Sequence, residues 1–331
     1  MRRSLLALLA ASALALGAGC SEPGAPPAEA WSYPAGPSAS GGPSASAGPV
    51  VAKVAEVLGK RPLFGVNASD PEDPSLSHLA EVAGCRPALV KIFAALPGGI
   101  SAEKLRALPG VPVLSIEPWE TGKGANQPRY TLRATIRGDW DAQYRKIAQS
   151  VVAYGKPILI RFGHEMNGRW YPWGVANGNK ASEFPVAWRH VVDLFRKAGA
   201  TNALWVWSPN VIRGAQSQTI AEFWPGKAYV DVVGLTGYGV SEQSPSRTYD
   251  ATMTLIKRLT DKPVVLTEVG AKRDSDKTEW ISNFGPWLKA HPQVAGFIWN
   301  QVVRDGDWRY DDTPANLAAF RRSLAVARVS C

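Results

Sequence analysis

The chain of 331 residues is short of the residue types that most often bind metals or carry thiol chemistry. It has four histidines, three cysteines and three methionines. His78, His164, His190 and His291 are scattered, so no zinc-ligand spacing forms. His164–Glu165 opens like the H-E-x-x-H of zinc peptidases, but Gly168 stands where the second histidine belongs, which excludes that class. The formal net charge is +9, yet there is no Lys/Arg run and no nucleic-acid motif. A mildly basic solvated surface accounts for the excess, and nucleic acid is not an expected partner. No internal repeat is present, and no Gly-rich nucleotide fingerprint follows the first apolar run. The acidic stretch DGDWRYDD, 305–312, lacks EF-hand spacing and reads as a loop, with Trp308 a candidate substrate contact. No metal or other cofactor is expected.

The first twenty residues, MRRSLLALLAASALALGAGC, have a basic start, a short apolar run and small residues before Cys20. The run is too short to favour a permanent span. It resembles a bacterial lipoprotein signal with the lipid on Cys20, although Gly17 stands where leucine is usual. Ordinary cleavage nearby, with release of the protein, is the alternative, and Arg2–Arg3 hints at twin-arginine export. Either route exports the chain, held at the cell surface or secreted, with membrane contact only through the lipid. Residues 21–50 are rich in Pro, Gly, Ser and Ala, offer little to bury, and are expected to be a disordered tether. The folded domain is expected over 51–331, and a monomer is the default.

From residue 51 onward, short apolar runs alternate with longer amphipathic ones. Strands are expected at 63–66, 88–94, 111–117, 157–163, 203–208, 230–236, 263–269 and 294–300. Helices are expected between them, at 50–59, 76–84, 101–107, 138–154, 183–199, 247–260 and 277–290, with a last one at 314–327. Near-continuous apolar strands are those covered on both faces. Eight such units point to a (β/α)8 barrel, a TIM barrel, with a doubly wound sheet as the structural alternative.

In such barrels the C-terminal strand ends line the active site. Those ends carry Glu117, then His164 and Glu165, then Asn210 after Trp207, then Tyr238, Glu268, and finally Trp299 and Asn300. Strand alternation puts Arg161, Gly163 and Glu165 on one face, and Val264, Leu266 and Glu268 on another. If both faces point inward, two glutamates look into the barrel mouth. A gap of about 5–5.5 Å between them suits a retaining glycosidase, and one of about 6.5–9.5 Å an inverting one.

The segment RFGHEMNGRWYPWG, Arg161–Gly174, resembles the acid/base motif of glycoside hydrolase family 26. PVVLTEVG, 263–270, is similar to its nucleophile strand, and VVGLTGYG, 232–239, to its sixth strand. The likeness spans roughly 51–327. It implies a β-mannanase-like enzyme in which Glu165 is the general acid/base and Glu268 the nucleophile. His164 is implied to touch the sugar and hold local geometry, Tyr238 to donate to Glu268, and Trp170 and Trp299 to be platforms under sugar rings. Two places depart from the family pattern. Thr236 replaces an acid, and the aromatic run reads Trp-Tyr-Pro-Trp-Gly instead of Trp-Phe-Trp-Trp-Gly.

The chemistry asks for such a set independently: one carboxyl protonated to assist the leaving oxygen, another ionised to attack. Burial against tryptophan raises the pKa of Glu165, while Arg161 and Tyr238 keep Glu268 ionised. Asn210, Asn167 and Glu117 are candidate partners for sugar hydroxyls, with a helix-capping or turn role as the alternative for Asn167 and a turn role for Asn210. The expected activity is endo-cleavage of a β-linked polysaccharide or oligosaccharide, β-1,4-mannan first. Mixed-linkage β-glucan and β-1,3-xylan stay open, and a non-catalytic sugar-binding lipoprotein is the alternative of another class. Cys85 precedes the second strand and Cys331 follows the last helix, both at the N-terminal face, so a Cys85–Cys331 disulfide is expected, with two free thiols as the alternative.

Overall fold

The structure is a computed structural model that describes residues 49–67, 75–212, 219–240, 244–272 and 276–331. The signal segment, Cys20 and nearly all of the expected tether lie outside the described residues. In chain order the elements are α1 (Pro49–Leu58), β1 (Leu63–Asn67), α2 (Ser75–Ala83), β2 (Leu89–Ala95), α3 (Ala102–Ala107), β3 (Val111–Glu117), α4 (Leu132–Arg137), α5 (Asp141–Tyr154), β4 (Ile158–Phe162), α6 (Glu183–Lys197), β5 (Ala203–Trp207), β6 (Val232–Gly239), α7 (Pro245–Leu259), β7 (Val264–Ala271), α8 (Lys277–Ala290), β8 (Val294–Trp299) and α9 (Pro314–Val326). The eight strands pair in parallel, in sequence order, and β1 closes on β8.

The barrel follows from alternation. One apolar residue from each strand fills its interior: Leu63, Leu89, Val113, Leu159, Val206, Val232, Val265 and Ile298. The neighbouring residues of each strand point the other way, into a second apolar layer shared with the helices. Val54, Val57 and Leu58 of α1 pack on the interior set and so floor the barrel. Helix starts are signed locally. Ser244 and Thr313 cap α7 and α9, accepting from Arg247 and Asn316 backbone N–H, each with proline at the next position.

Most boundaries fall within two residues of expectation, and two differ by more. The helix expected from residue 138 begins at Asp141, because Gly138, at φ 86°, ends a separate helix, α4. β6 runs on to Gly239, so Tyr238 lies within the strand instead of after it. At the barrel floor the structure joins Cys85 to Cys331, with Cα atoms 4.8 Å apart. Beside it the Ser330 backbone N–H donates to the Pro62 carbonyl at 2.9 Å.

Candidate active site

Above the apolar interior the next inward residues are polar. Lys91 of β2 and Arg161 of β4 are fully buried there. Both face Glu268: Arg161 Nη1 lies 3.0 Å from Oε1, and Lys91 Nζ 3.2 Å from the same oxygen. The Tyr238 hydroxyl donates to Oε2 at 2.6 Å. The Arg161 guanidinium also donates to the hydroxyls of Ser115, Ser208 and Thr236.

Glu268 comes inward for a reason the alternation rule misses. Val264 and Leu266 belong to the outer layer, and Val265 is the inward residue. Plain alternation would therefore send Glu268 outward with Val264 and Leu266. The strand is irregular at this point. Leu235 pairs with Leu266 but Thr236 pairs with Glu268, so Thr267 is an extra residue in β7, and the register with β8 shifts over the same stretch. Such a bulge re-aims side chains. Thr267 meets Ser208 at 2.8 Å, and Glu268 reaches the two cations.

Glu165 also arrives by a turn and not by alternation. β4 ends at Phe162, after which Gly163 and Glu165 have φ of 51° and 53°. The turn is fastened on several sides. Glu165 N–H donates to the Ser208 carbonyl at 2.7 Å, and the buried Trp173 indole donates to the His164 carbonyl at 2.7 Å. Asn167 clamps the backbone of Asn210 through two 2.8 Å hydrogen bonds, its amide donating to the carbonyl and its oxygen accepting from the N–H. Trp170, 36% exposed, folds back so that its indole donates to Glu165 Oε2 at 2.5 Å. That fold needs Gly168, where an added Cβ would stand 2.5 Å from the Trp170 ring.

The two carboxyls are driven to opposite charge states. Burial raises Glu165, the negative charge of Glu268 raises it further, and Arg161 and Trp170 only partly reverse this. Burial also pushes Glu268 up, but the charges of Lys91 and Arg161 and the hydrogen bond from Tyr238 outweigh it and hold that carboxyl well below the usual range. Lys91 is lowered by burial, partly restored by Glu268, and settles at about 8. A third carboxyl, Glu117, is pushed up to about 7, chiefly by burial, while accepting from the Trp119 indole at 3.1 Å. A carboxyl kept protonated beside one kept ionised can donate a proton to a leaving group while the other attacks or stabilises positive charge.

Several expected sugar contacts are placed differently. Trp299 is 0% exposed, packed in the outer layer against Phe284 and Phe320, with its indole donating to the Trp308 carbonyl. Ile298 is the inward residue of that strand end, so alternation turns Trp299 away from the mouth. The half-buried Trp308 lies at the mouth instead, its ring centroid 4.9 Å from that of Tyr238. His164 is fully enclosed, sharing a 3.0 Å hydrogen bond with the Tyr171 hydroxyl. It holds local geometry and has no exposed atom for a sugar. Burial, then Arg161, keep it neutral, with its pKa well below the ordinary value. Arg161 is likewise enclosed, and acts on Glu268 instead of on substrate. Asn210 and Glu117 lie at the rim with small exposure, and the Asn210 side chain has no protein partner among the described residues.

Two residues that sequence reading passed over also matter. Lys91 was signalled by a lone charge inside the apolar run ALVKIFA, 88–94. Phe93 lies two residues on along the same strand, 42% exposed, and its ring lies near the Lys91 ammonium and the His164 ring. The acidic loop 305–312 is engaged by the chain's own groups: Asp307 by Arg309, and Asp312 by Lys277 at 3.0 Å.

A closed parallel barrel carrying two oppositely poised carboxyls at the C-terminal ends of β4 and β7 has the form of a glycosidase. The chain belongs to glycosyl hydrolase family 26, whose sequence pattern matches residues 131–309. It is similar to endoglucanase H of Acetivibrio thermocellus, 29% identical over 65% of this chain and 24% of that protein. It is also similar to a mannan endo-1,4-β-mannosidase of Bacillus subtilis, 29% identical over 52% of this chain and 49% of that one. The chain thus spans about half or less of the length of these curated relatives. Its fold is that of a family 26 β-mannanase from Bacteroides ovatus, with a TM-score of 0.64 at 20% identity, covering 85% of this chain and 93% of the other.

Proposed function

We propose that the chain is a retaining endo-glycosidase acting on a β-linked polysaccharide, β-1,4-mannan first. Glu165 is the general acid and base, and Glu268 the nucleophile. The observation that carries this reading is the opposed poise of the two carboxyls. Glu165 is kept neutral by burial and by Glu268, and Glu268 is kept charged by Lys91 and Arg161. In the first step Glu268 attacks the anomeric carbon and Glu165 protonates the leaving oxygen. In the second, Glu165 takes a proton from water and the ester to Glu268 is cleaved. Tyr238 holds the attacking carboxylate, and Trp170 and Trp308 flank the reacting sugar.

Mannan is favoured by the likeness to a mannan endo-1,4-β-mannosidase. A mixed-linkage β-glucan is the second reading, favoured by the likeness to endoglucanase H. Release of reducing ends from mannan, mixed-linkage glucan and β-1,3-xylan chooses among them. Glu268→Ala is expected to abolish release while leaving oligosaccharide binding measurable. Hydrolysis at the wild-type rate in that variant refutes the assignment, and binding without hydrolysis by the wild type points to a sugar-binding protein.

A further inference from the structure

Two cations meet one oxygen of Glu268, and they are held differently. Arg161 is tied to three hydroxyls besides Glu268: Ser115, Ser208 and Thr236. Those partners solvate its charge whatever happens to the carboxylate. Lys91 has no such support. Glu268 is its only ion-pair partner among the described residues, at 3.2 Å, and its Nζ has no well-formed hydrogen bond. Its other charge-stabilising neighbours are the face of Phe93, 4.9 Å away, and the weaker field of Glu165. The side chain is wholly enclosed, two residues along β2 from Leu89 of the apolar interior. A buried ammonium is costly unless an anion offsets it. Here that anion is the group on which the proposed reaction forms a covalent bond.

Forming the glycosyl-enzyme removes that anion. The carboxylate becomes a neutral ester, and Lys91 is left buried beside Arg161 with its ion-pair partner gone; Glu165, ionised by giving up its proton, is a weaker influence on it than Glu268 was. Resting on the reading of Glu268 as nucleophile, we propose that Lys91 is a positioning residue for the second half-reaction, disfavouring the ester and favouring return of Glu268 as a carboxylate. In that step the water oxygen bonds to the anomeric carbon, its proton passes to Glu165, and the electron pair of the breaking bond returns to Glu268. Lys91 takes no part in the proton balance. Its charge works against the first step, in which the carboxylate gives up its charge, and for the second. Arg161 discriminates less between the two states, because its hydroxyl partners remain.

The test uses the full chain and 2,4-dinitrophenyl β-mannobioside, with the β-cellobioside in parallel. This leaving group needs no protonation, so the second step limits turnover. Lys91→Met keeps the length of the stem and removes the charge. It is expected to lower kcat and KM together, each by about tenfold, with kcat/KM held within about threefold. A burst of dinitrophenolate matching the enzyme concentration, and a glycosyl adduct in the intact mass, should accompany it. Lys91→Arg should restore kcat and KM, with the burst of the wild type retained. Lys91→Gln carries the same expectation should the methionine variant not fold, and a melting curve for each variant reports folding. A fall in kcat with KM unchanged and no burst overturns the proposal, as do wild-type kinetics in Lys91→Met. Release of no dinitrophenolate from either glycoside by the wild type refutes the mannan and glucan readings of the site. Release by the wild type with no effect of Lys91→Met refutes only the role of Lys91.

Discussion

The indole of Trp299 donates to the carbonyl oxygen of Trp308 at 2.8 Å. A wholly enclosed tryptophan thus carries a half-buried one, and the second lies against Tyr238, which itself donates to Glu268. The two indoles therefore have different work. Trp308→Ala is expected to lower kcat/KM on oligosaccharides by about 10- to 100-fold, by removing an apolar face, with little change in melting temperature. Trp299→Phe is expected to cost about 1–3 kcal/mol in stability, through a lost hydrogen bond and a packing defect. Denaturant melts and steady-state kinetics on both variants check the division.

The pH dependence of kcat/KM should be a bell whose limbs belong to the coupled pair. In the proposed mechanism Glu268 must be ionised, so activity falls as pH drops through its pKa, which the cations hold low. Glu165 must be protonated, so activity falls as pH rises through its raised pKa. Trp170 donates to the Glu165 carboxyl and pulls that pKa down. Trp170→Phe should therefore move the alkaline limb to higher pH, by up to about one unit. A limb that stays in place or moves down removes Glu165 as the titrating acid.

Glu117 gives a stability prediction with a definite sign. Its folded pKa is raised by burial to about 7, above the value of 4.5 for an unperturbed side chain. Its contribution is complete below the unfolded pKa and is lost as pH rises through the folded one. Glu117→Gln cannot ionise, so its melting temperature should gain on the wild type between pH 5 and pH 8, and not at pH 4. Melting curves across that range decide it, and a gain that grows toward acid pH contradicts the assigned environment.

The Cys85–Cys331 bridge closes a loop with a sequence separation of 246 residues. Loops of that size lose the most chain entropy on cross-linking, and removal is expected to cost about 3–5 kcal/mol. Cys85→Ser, or reduction of the wild type, should lower the melting temperature by roughly 6–15 °C. Catalysis well below the transition should be unchanged, since the bridge lies at the floor of the barrel.

The barrel was legible because parallel strands covered on both faces leave near-continuous apolar runs, and all eight expected strands are present. The rim was legible because the C-terminal strand ends carry chemistry in such barrels. What escaped was local. Alternation counts residues, and the bulge at Thr267 adds one, so Glu268 faces inward for a reason that counting does not supply. Strict alternation did hold at the end of β8, and it turned Trp299 away from the mouth where a platform was expected. Lys91 was visible as a charge in an apolar run, but only closure of the barrel brings β2 and β7 to one carboxylate. α4 was missed because Gly138 suits the end of one helix as well as an approach to the next.

Glu165 sits at φ 53°, a region that side chains other than glycine enter only at a cost. Glycine would relax the backbone there and remove the acid. A search for sturdier variants that scores folding alone would be drawn to that position and, on the proposed mechanism, would return an inert protein. Thermostabilising substitutions belong on the helices and the floor, and screens should read turnover alongside melting.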